Sequence, residues 1–201
     1  MEYTEFEKNG LKIDNERVLT YSKLSCPFDC TYCFVDGMTQ EQESRGNTFS
    51  FSVSIPCFSE KSLTKYEPKA PSPQRRIKTL QNVFNEGIPT MVAIRPLLPD
   101  IEENELEKIV NLTKDFVIGY YSGPLYLKQD KLKILLPNFE IKQDIKPHWM
   151  LDGNYYQEVV REGQMEFLAS LIQKSGKQFF TGATEGVEFI KKVKGYDQSR
   201  N

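Results

Sequence analysis

The sequence predicts an α/β protein built on an incomplete parallel barrel of about five strands, with short strands and amphipathic helices in alternation. Three observations carry that prediction. Residues 48–55 (TFSFSVSI) alternate Phe49, Phe51, Val53 and Ile55 with Thr48, Ser50, Ser52 and Ser54, the period of two of a strand with one apolar face and one hydroxyl-lined face. Ile77, Leu80, Val83 and Phe84 recur at helical spacing between a Ser72-Pro73 start and a Gly87 stop. Two further apolar runs, residues 90–94 and 116–121, flank a helical segment, 102–113, whose acidic first turn suits the helix dipole. Strands joined by helices pair in parallel, because a crossover of that length returns the chain to the same edge of the sheet.

The remaining elements follow in chain order. Residues 17–24 (RVLTYSKL) read as a first strand that runs into Ser25-Cys26-Pro27, and residues 31–43 as a short helix. The segment from Pro68 to Pro73 is a turn, and Arg95 to Pro99 forms a second, Pro-rich one. Residues 125–150 lose regularity and are expected to be an irregular insertion, or over 125–147 a hairpin. A helix over 155–174, a strand over 177–181 and a helix over 185–194 complete the chain, with Gly176 as the stop after the first. The expected organisation is a single domain over residues 1–201, with 1–16 as an N-terminal extension.

With 26 basic and 28 acidic residues the net charge is -2, which excludes a whole-surface cationic binder of nucleic acid or anionic lipid. From Lys61 to Arg95, seven basic residues stand against Glu67 and Glu86, a local excess that suits either a nucleic-acid surface or one solvated helix face. No signal peptide and no apolar run of about 18 residues is readable, so no membrane association is expected and the cytoplasm is the expected location. In that reducing compartment four cysteines do not suggest disulfides, and three of them fall within eight residues.

Those three, Cys26, Cys30 and Cys33, are spaced CxxxCxxC in the segment CPFDCTYC. One loop can then direct three thiolates at three irons of a 4Fe-4S cluster, leaving the fourth iron open to a ligand's amino and carboxylate groups. A structural zinc is the competing reading, but zinc takes four closed ligands, most often from paired CxxC or CxxH units. Here only Cys57 or the single histidine, His148, would be left to close the site.

The CxxxCxxC spacing resembles that of the radical S-adenosylmethionine superfamily. Within it, three segments are similar to the spore photoproduct lyase and DNA repair photolyase branch: Tyr66-Glu67-Pro68-Lys69-Ala70-Pro71-Ser72-Pro73-Gln74-Arg75-Arg76, Gly87-Ile88-Pro89, and Ile94 through Pro99. That branch has an E-P-x-A-P-S-P-x-x-R turn, a G-I-P, and a strand that ends in P-x-x-P. The chain is shorter than the branch after the cysteines, since residues 34–48 stand where two further strand and helix units are usual, without their Gly-Gly-Glu-like strand end. Asp100 also replaces a usual glycine. The resemblance implies a barrel of the radical S-adenosylmethionine type and two cofactors, a 4Fe-4S cluster and S-adenosylmethionine. It further implies a reducing partner such as flavodoxin or ferredoxin, reductive cleavage to a 5'-deoxyadenosyl radical, and lyase-type chemistry on a substrate that the branch suggests is a nucleic-acid lesion. Tyr32 would lie beside the adenine. A non-catalytic iron-sulfur protein and a zinc-stabilised binding module are the alternative classes.

Other residues are candidates as well. Ser52 and Ser54 on the polar strand face, and Arg95 at a strand end, suit cofactor binding, the last because a guanidinium pairs bidentately with carboxylate or phosphate. Cys57 is a candidate hydrogen donor or, more simply, a small buried residue. Tyr120-Tyr121-Ser122-Gly123 ends a strand within reach of the substrate side; Trp149 reads as a packing residue, and His148 as packing or a proton carrier.

Overall fold

The computed structural model describes residues 11–14, 18–21, 51–139, 144–146 and 154–193. In chain order the strands are β1 (Leu11–Asp14), β2 (Val18–Tyr21), β3 (Phe51–Ser54), β4 (Thr90–Leu97), β5 (Gly119–Leu127), β6 (Asp144–Ile145), β7 (Tyr156–Val159) and β8 (Gln178–Phe180). Helices span Glu60–Tyr66, Pro73–Asn85, Glu103–Thr113, Gln129–Leu135, Gln164–Lys174 and Ala183–Val193. The chain divides into two units, one comprising residues 1–47, 60–70 and 125–159, the other 48–59, 71–124 and 160–201.

The second unit is the α/β sheet that the sequence predicts. It is open, and β3, β4, β5 and β8 pair in parallel in that order. The helix Pro73–Asn85 leads from β3 to β4 and starts where its sequence says it should. Ser72 accepts a hydrogen bond from the Arg75 backbone N–H at 3.3 Å, and Pro73 needs no partner for the N–H it lacks. Gly87 then takes φ +76, a left-handed conformation that ends the helix at little steric cost. The next helix, Glu103–Thr113, buries Leu106, Ile109 and Val110, while Tyr120 of β5 donates to the Val110 carbonyl and shares a hydrogen bond with Thr113 at 2.8 Å. That side of the sheet is therefore packed against helices.

The opposite face is set by register. Ser52 stands beside Met91 and Gly119, and Ser54 beside Ala93, Tyr121 and Phe180. Helix Ala183–Val193 covers the amino half of this face. Ile190 packs with Met91 and Phe180 in one buried cluster, and Gly186 lies so close to Met91 that a Cβ there would fall 2.7 Å from its sulfur. The carboxyl half is left to Arg95, Tyr121 and Gly123.

Strand β4 runs on through Arg95 and Pro96 to Leu97, further than the Pro-rich turn expected there. Pro96 has no N–H to offer the ladder, and the pairing with β5 shifts register between Ile94 and Leu97. Two hydroxyls take up the carbonyls at this irregularity: Ser122 donates to the Ile94 carbonyl at 2.6 Å and Ser54 to that of Arg95 at 3.1 Å. Ser122 is fully buried, so its hydroxyl needs that acceptor.

The first unit departs most from expectation. The strand before the cysteines is present as β2, but it pairs antiparallel with β1, in a two-stranded sheet of their own, where a member of the parallel sheet was expected. Leu11 and Ile13 alternate with Lys12 and Asp14, and Asp14-Asn15 is a turn-favouring pair, so a local hairpin competes successfully with a distant parallel partner. Residues 125–127 continue β5 and pair antiparallel with β7, which also pairs with β6. The expected helix over 155–174 divides into strand β7 and the helix Gln164–Lys174, separated at Gly163, which takes φ +75. Helix Glu60–Tyr66, unforeseen in the sequence, carries Glu60 in its first turn and Lys65 in its last, and buries Tyr66.

A candidate anion-binding site at the carboxyl ends of the parallel strands

Parallel α/β sheets place their chemistry at the carboxyl ends of strands, where loops diverge and backbone groups are free. In the parallel unit this end holds Ser54 from β3, Arg95 from β4, and Tyr121 and Gly123 from β5, while Ser52 stands on the same face level with Met91 and Gly119. Ser52 is exposed, whereas Arg95 and Tyr121 are half-buried.

Arg95 lies against Gly123. A Cβ at position 123 would meet the Arg95 Nε at 3.1 Å and Cζ at 3.2 Å, so the missing side chain is what admits the guanidinium. Among the described residues no carboxylate or carbonyl takes a hydrogen bond from that guanidinium. Its neighbour Tyr121 is hydrogen-bonded to Ser52. Burial pushes the Tyr121 phenol above its ordinary value, and the Ser52 hydrogen bond and the Arg95 charge draw it part of the way back. The phenol is therefore a neutral donor at physiological pH.

Ser54 has a different place. Its hydroxyl donates to the Arg95 carbonyl, and its own carbonyl accepts from Arg76 Nη1 at 2.8 Å, so it ties β3 and the helix Pro73–Asn85 to the strand end that carries Arg95. The loop after β3 is fixed from the helix Glu103–Thr113. Glu105 Oε2 accepts from the backbone N–H groups of Phe58 (2.8 Å) and Ser59 (2.9 Å), and Oε1 from the Ser59 hydroxyl (2.8 Å). Lys108 Nζ stands 4.4 Å above the Phe58 ring. Cys57 sits in this loop with no exposed surface.

Cys26, Cys30, Cys33 and Tyr32, together with His148 and Trp149, lie outside the described residues. Tyr121 and Gly123 complete a site that the sequence announces mainly through Ser52 and Arg95. Their signal is the two-residue interval in GYYSG, which puts positions 119, 121 and 123 on one face of β5. A cavity of about 270 Å³ opens at the other end of the strands, but its lining of Phe84, Ile88, Pro89, Ile118, Phe189 and Ile190 carries no titratable group.

No family model and no curated protein matches the chain. Solved structures of spore photoproduct lyase are similar to it over part of its length. A cysteine-to-serine mutant aligns at 12% identity and TM-score 0.41 over 66% of this chain and 42% of its own. A double mutant with bound AdoMet and dinucleoside spore photoproduct gives 12% and 0.42 over 67% and 43%, and a tyrosine-to-phenylalanine mutant 13% and 0.41 over 67% and 42%. The chain thus spans less than half the length of these solved chains.

Proposed function

We propose that this chain is a radical S-adenosylmethionine enzyme, with a 4Fe-4S cluster on Cys26, Cys30 and Cys33 and a nucleic-acid lesion as the substrate class. The observation that carries this reading is the CxxxCxxC spacing in a chain whose open parallel sheet sets the Arg95 guanidinium and the Tyr121 phenol toward its carboxyl ends, on the face that also carries the exposed Ser52 hydroxyl. Three thiolates leave one iron of a cubane without a protein ligand, the arrangement that an amino acid-bearing cofactor requires. The donors at the strand ends fit such a cofactor: Arg95 suits a carboxylate, and Ser52 suits a carboxylate or a ribose hydroxyl.

When bound, cluster and cofactor together supply a 5'-deoxyadenosyl radical that removes a hydrogen atom from the substrate. The chain's own residues bind and orient. Tyr32 would lie beside the adenine, and Arg95 and Ser52 would hold the anionic and hydroxyl groups, while Ser54, Ser122 and Glu105 fix the strand ends and the loop after β3. Electrons come from a flavodoxin or ferredoxin, and the reaction belongs to the cytoplasm. None of the described helices is long and apolar enough to cross a membrane.

The test is anaerobic reconstitution with iron and sulfide, followed by quantification of 5'-deoxyadenosine after addition of a strong reductant and S-adenosylmethionine. The expected result is turnover that depends on reductant and is abolished by Cys30→Ala. Iron bound without any cleavage would instead assign the chain to non-catalytic iron-sulfur proteins, and zinc in place of iron to metal-stabilised binding modules.

A further inference from the structure

We infer that the ring of Tyr196 fills the apolar cavity at the amino ends of the parallel strands, carried there by the turn that ends the last helix. The cavity is then closed by the chain's own carboxyl-terminal segment and not by a separate ligand or partner.

Two helices of the parallel unit set the pattern for the third. The helix Pro73–Asn85 is capped by Glu86 and followed by Gly87 at φ +76. The Gly87 N–H donates to the Phe84 carbonyl at 2.9 Å, and the Ile88 N–H to that of Val83 at 3.4 Å. The helix Gln164–Lys174 repeats this arrangement with Ser175 and with Gly176 at φ +76. There Gly176 donates to Gln173 at 2.9 Å and Lys177 to Ile172 at 3.2 Å. Both are the two-bond closure in which a left-handed glycine turns the chain back over the last helical turn. The helix Ala183–Val193 is followed by Lys194, Gly195 and Tyr196, so its glycine stands at the same distance from the last helical residue as the other two. Residues 194–201 lie outside the described residues, and the shared spacing implies the same turn for them.

In this closure an apolar residue after the glycine packs on the residue that begins the last helical turn, here Ile190. Ile190 is a wall of the cavity, which Phe84, Ile88, Pro89, Ile118 and Phe189 complete among the described residues. Size and chemistry suit a phenol ring. At about 270 Å³ the cavity exceeds the roughly 150 Å³ that admits benzene. Its lining side chains are all apolar, and Phe84 is 38% exposed, so the cavity opens to water on that side. An aromatic ring inside it gains apolar contact, and the hydroxyl at the far end of a tyrosine keeps its hydration. Left empty, the same walls forfeit that contact. Tyr196 is the single aromatic residue of residues 194–201.

The test uses the full 201-residue chain with isotope-labelled isoleucine δ1 methyls and reads ring-current shifts by NMR. The Ile118 and Ile190 methyls should move when Tyr196→Ala removes the ring, and should keep their wild-type positions in Tyr196→Phe. The Ile55 methyl, buried just beyond the carboxyl end of β3, should not move and shows that each variant is folded. Gly195→Val, whose branched side chain resists positive φ, should draw the Ile118 and Ile190 methyls toward their Tyr196→Ala positions. Fluorobenzene, followed by fluorine NMR, supplies a second reading. It should bind the wild type about tenfold more weakly than Tyr196→Ala, the ratio for a ring that fills the cavity in about nine molecules of ten.

Ile118 and Ile190 methyls that Tyr196→Ala leaves in place overturn the inference. So does fluorobenzene binding that does not differ between the two proteins, which would assign the cavity to an occupant from outside the chain. Should Tyr196→Ala not fold, Tyr196→Leu carries the test, because it fills the space with no ring to shift the methyls.

Discussion

Glu105→Ala should loosen the loop that follows β3. In the native protein one carboxylate accepts three hydrogen bonds, from the Phe58 and Ser59 backbone N–H groups and the Ser59 hydroxyl, across 46 or 47 residues of sequence. Hydrogen bonds to a charged group are each worth about 1.5 to 3 kcal/mol, but they share one acceptor and are only part-buried, so water replaces some of what is lost. A net cost of about 2 to 3 kcal/mol follows, because two backbone N–H groups are left to find water in a loop that also holds the buried Cys57 and Phe58. For a chain of this size that lowers the thermal midpoint by roughly 5 to 10 °C, read by far-UV circular dichroism. Glu105→Gln keeps the side-chain volume and one oxygen acceptor, so it should lose about half as much. A Glu105→Ala protein that melts within about 2 °C of wild type would refute the account of how the loop is held.

Gly119→Ala places a Cβ 2.9 Å from the Gln178 carbonyl and 2.8 Å from the Phe180 ring, so β5 and β8 must separate; destabilisation of about 1 to 3 kcal/mol is expected by urea titration. Ser72→Ala removes the cap of the helix Pro73–Asn85 and should cost about 1 kcal/mol, measured the same way, while Ser72→Asp should cost nothing. Tyr120 and Tyr121 are both pushed above the ordinary phenol value, in each case first by burial. A folded-state pKa above the unfolded one means that their contribution to stability is complete below about pH 10 and declines as pH rises further. Spectrophotometric titration should therefore show late-ionising phenols in the native protein, one fewer in Tyr121→Phe, and none in urea.

The helix Pro73–Asn85 was legible to the residue because its signals are local: a serine cap, a proline that fits only the first turn, and a glycine free to take positive φ. β3 was legible for a similar reason, since its strand periodicity can be read without knowing the partner. Strand β7 was not, because both its neighbours are strands and its burial does not alternate. Tyr156, Gln157 and Val159 are all buried, and a buried glutamine hides the pattern that would separate strand from helix. The hairpin of β1 and β2 and the continuation of β5 through Leu127 depend on a choice of partner, which composition does not encode.

The site shows the same division. Ser52 could be placed from strand alternation and Arg95 from a strand end, and Tyr120-Tyr121-Ser122-Gly123 was read as a strand end facing the substrate side, although β5 runs on to Leu127. That Arg95 rests on Gly123, and that Ser54 and Ser122 serve the carbonyls before Pro96, required the register of three strands and the shift between Ile94 and Leu97.

The central claim is a cluster with one iron left open by Cys26, Cys30 and Cys33, and electron paramagnetic resonance of the reconstituted, reduced protein with and without S-adenosylmethionine tests it most directly. The expected result is a reduced 4Fe-4S signal that changes when S-adenosylmethionine is added and is lost in Cys30→Ala. A protein that holds tetrahedral zinc, or a cluster signal indifferent to S-adenosylmethionine, would contradict the claim.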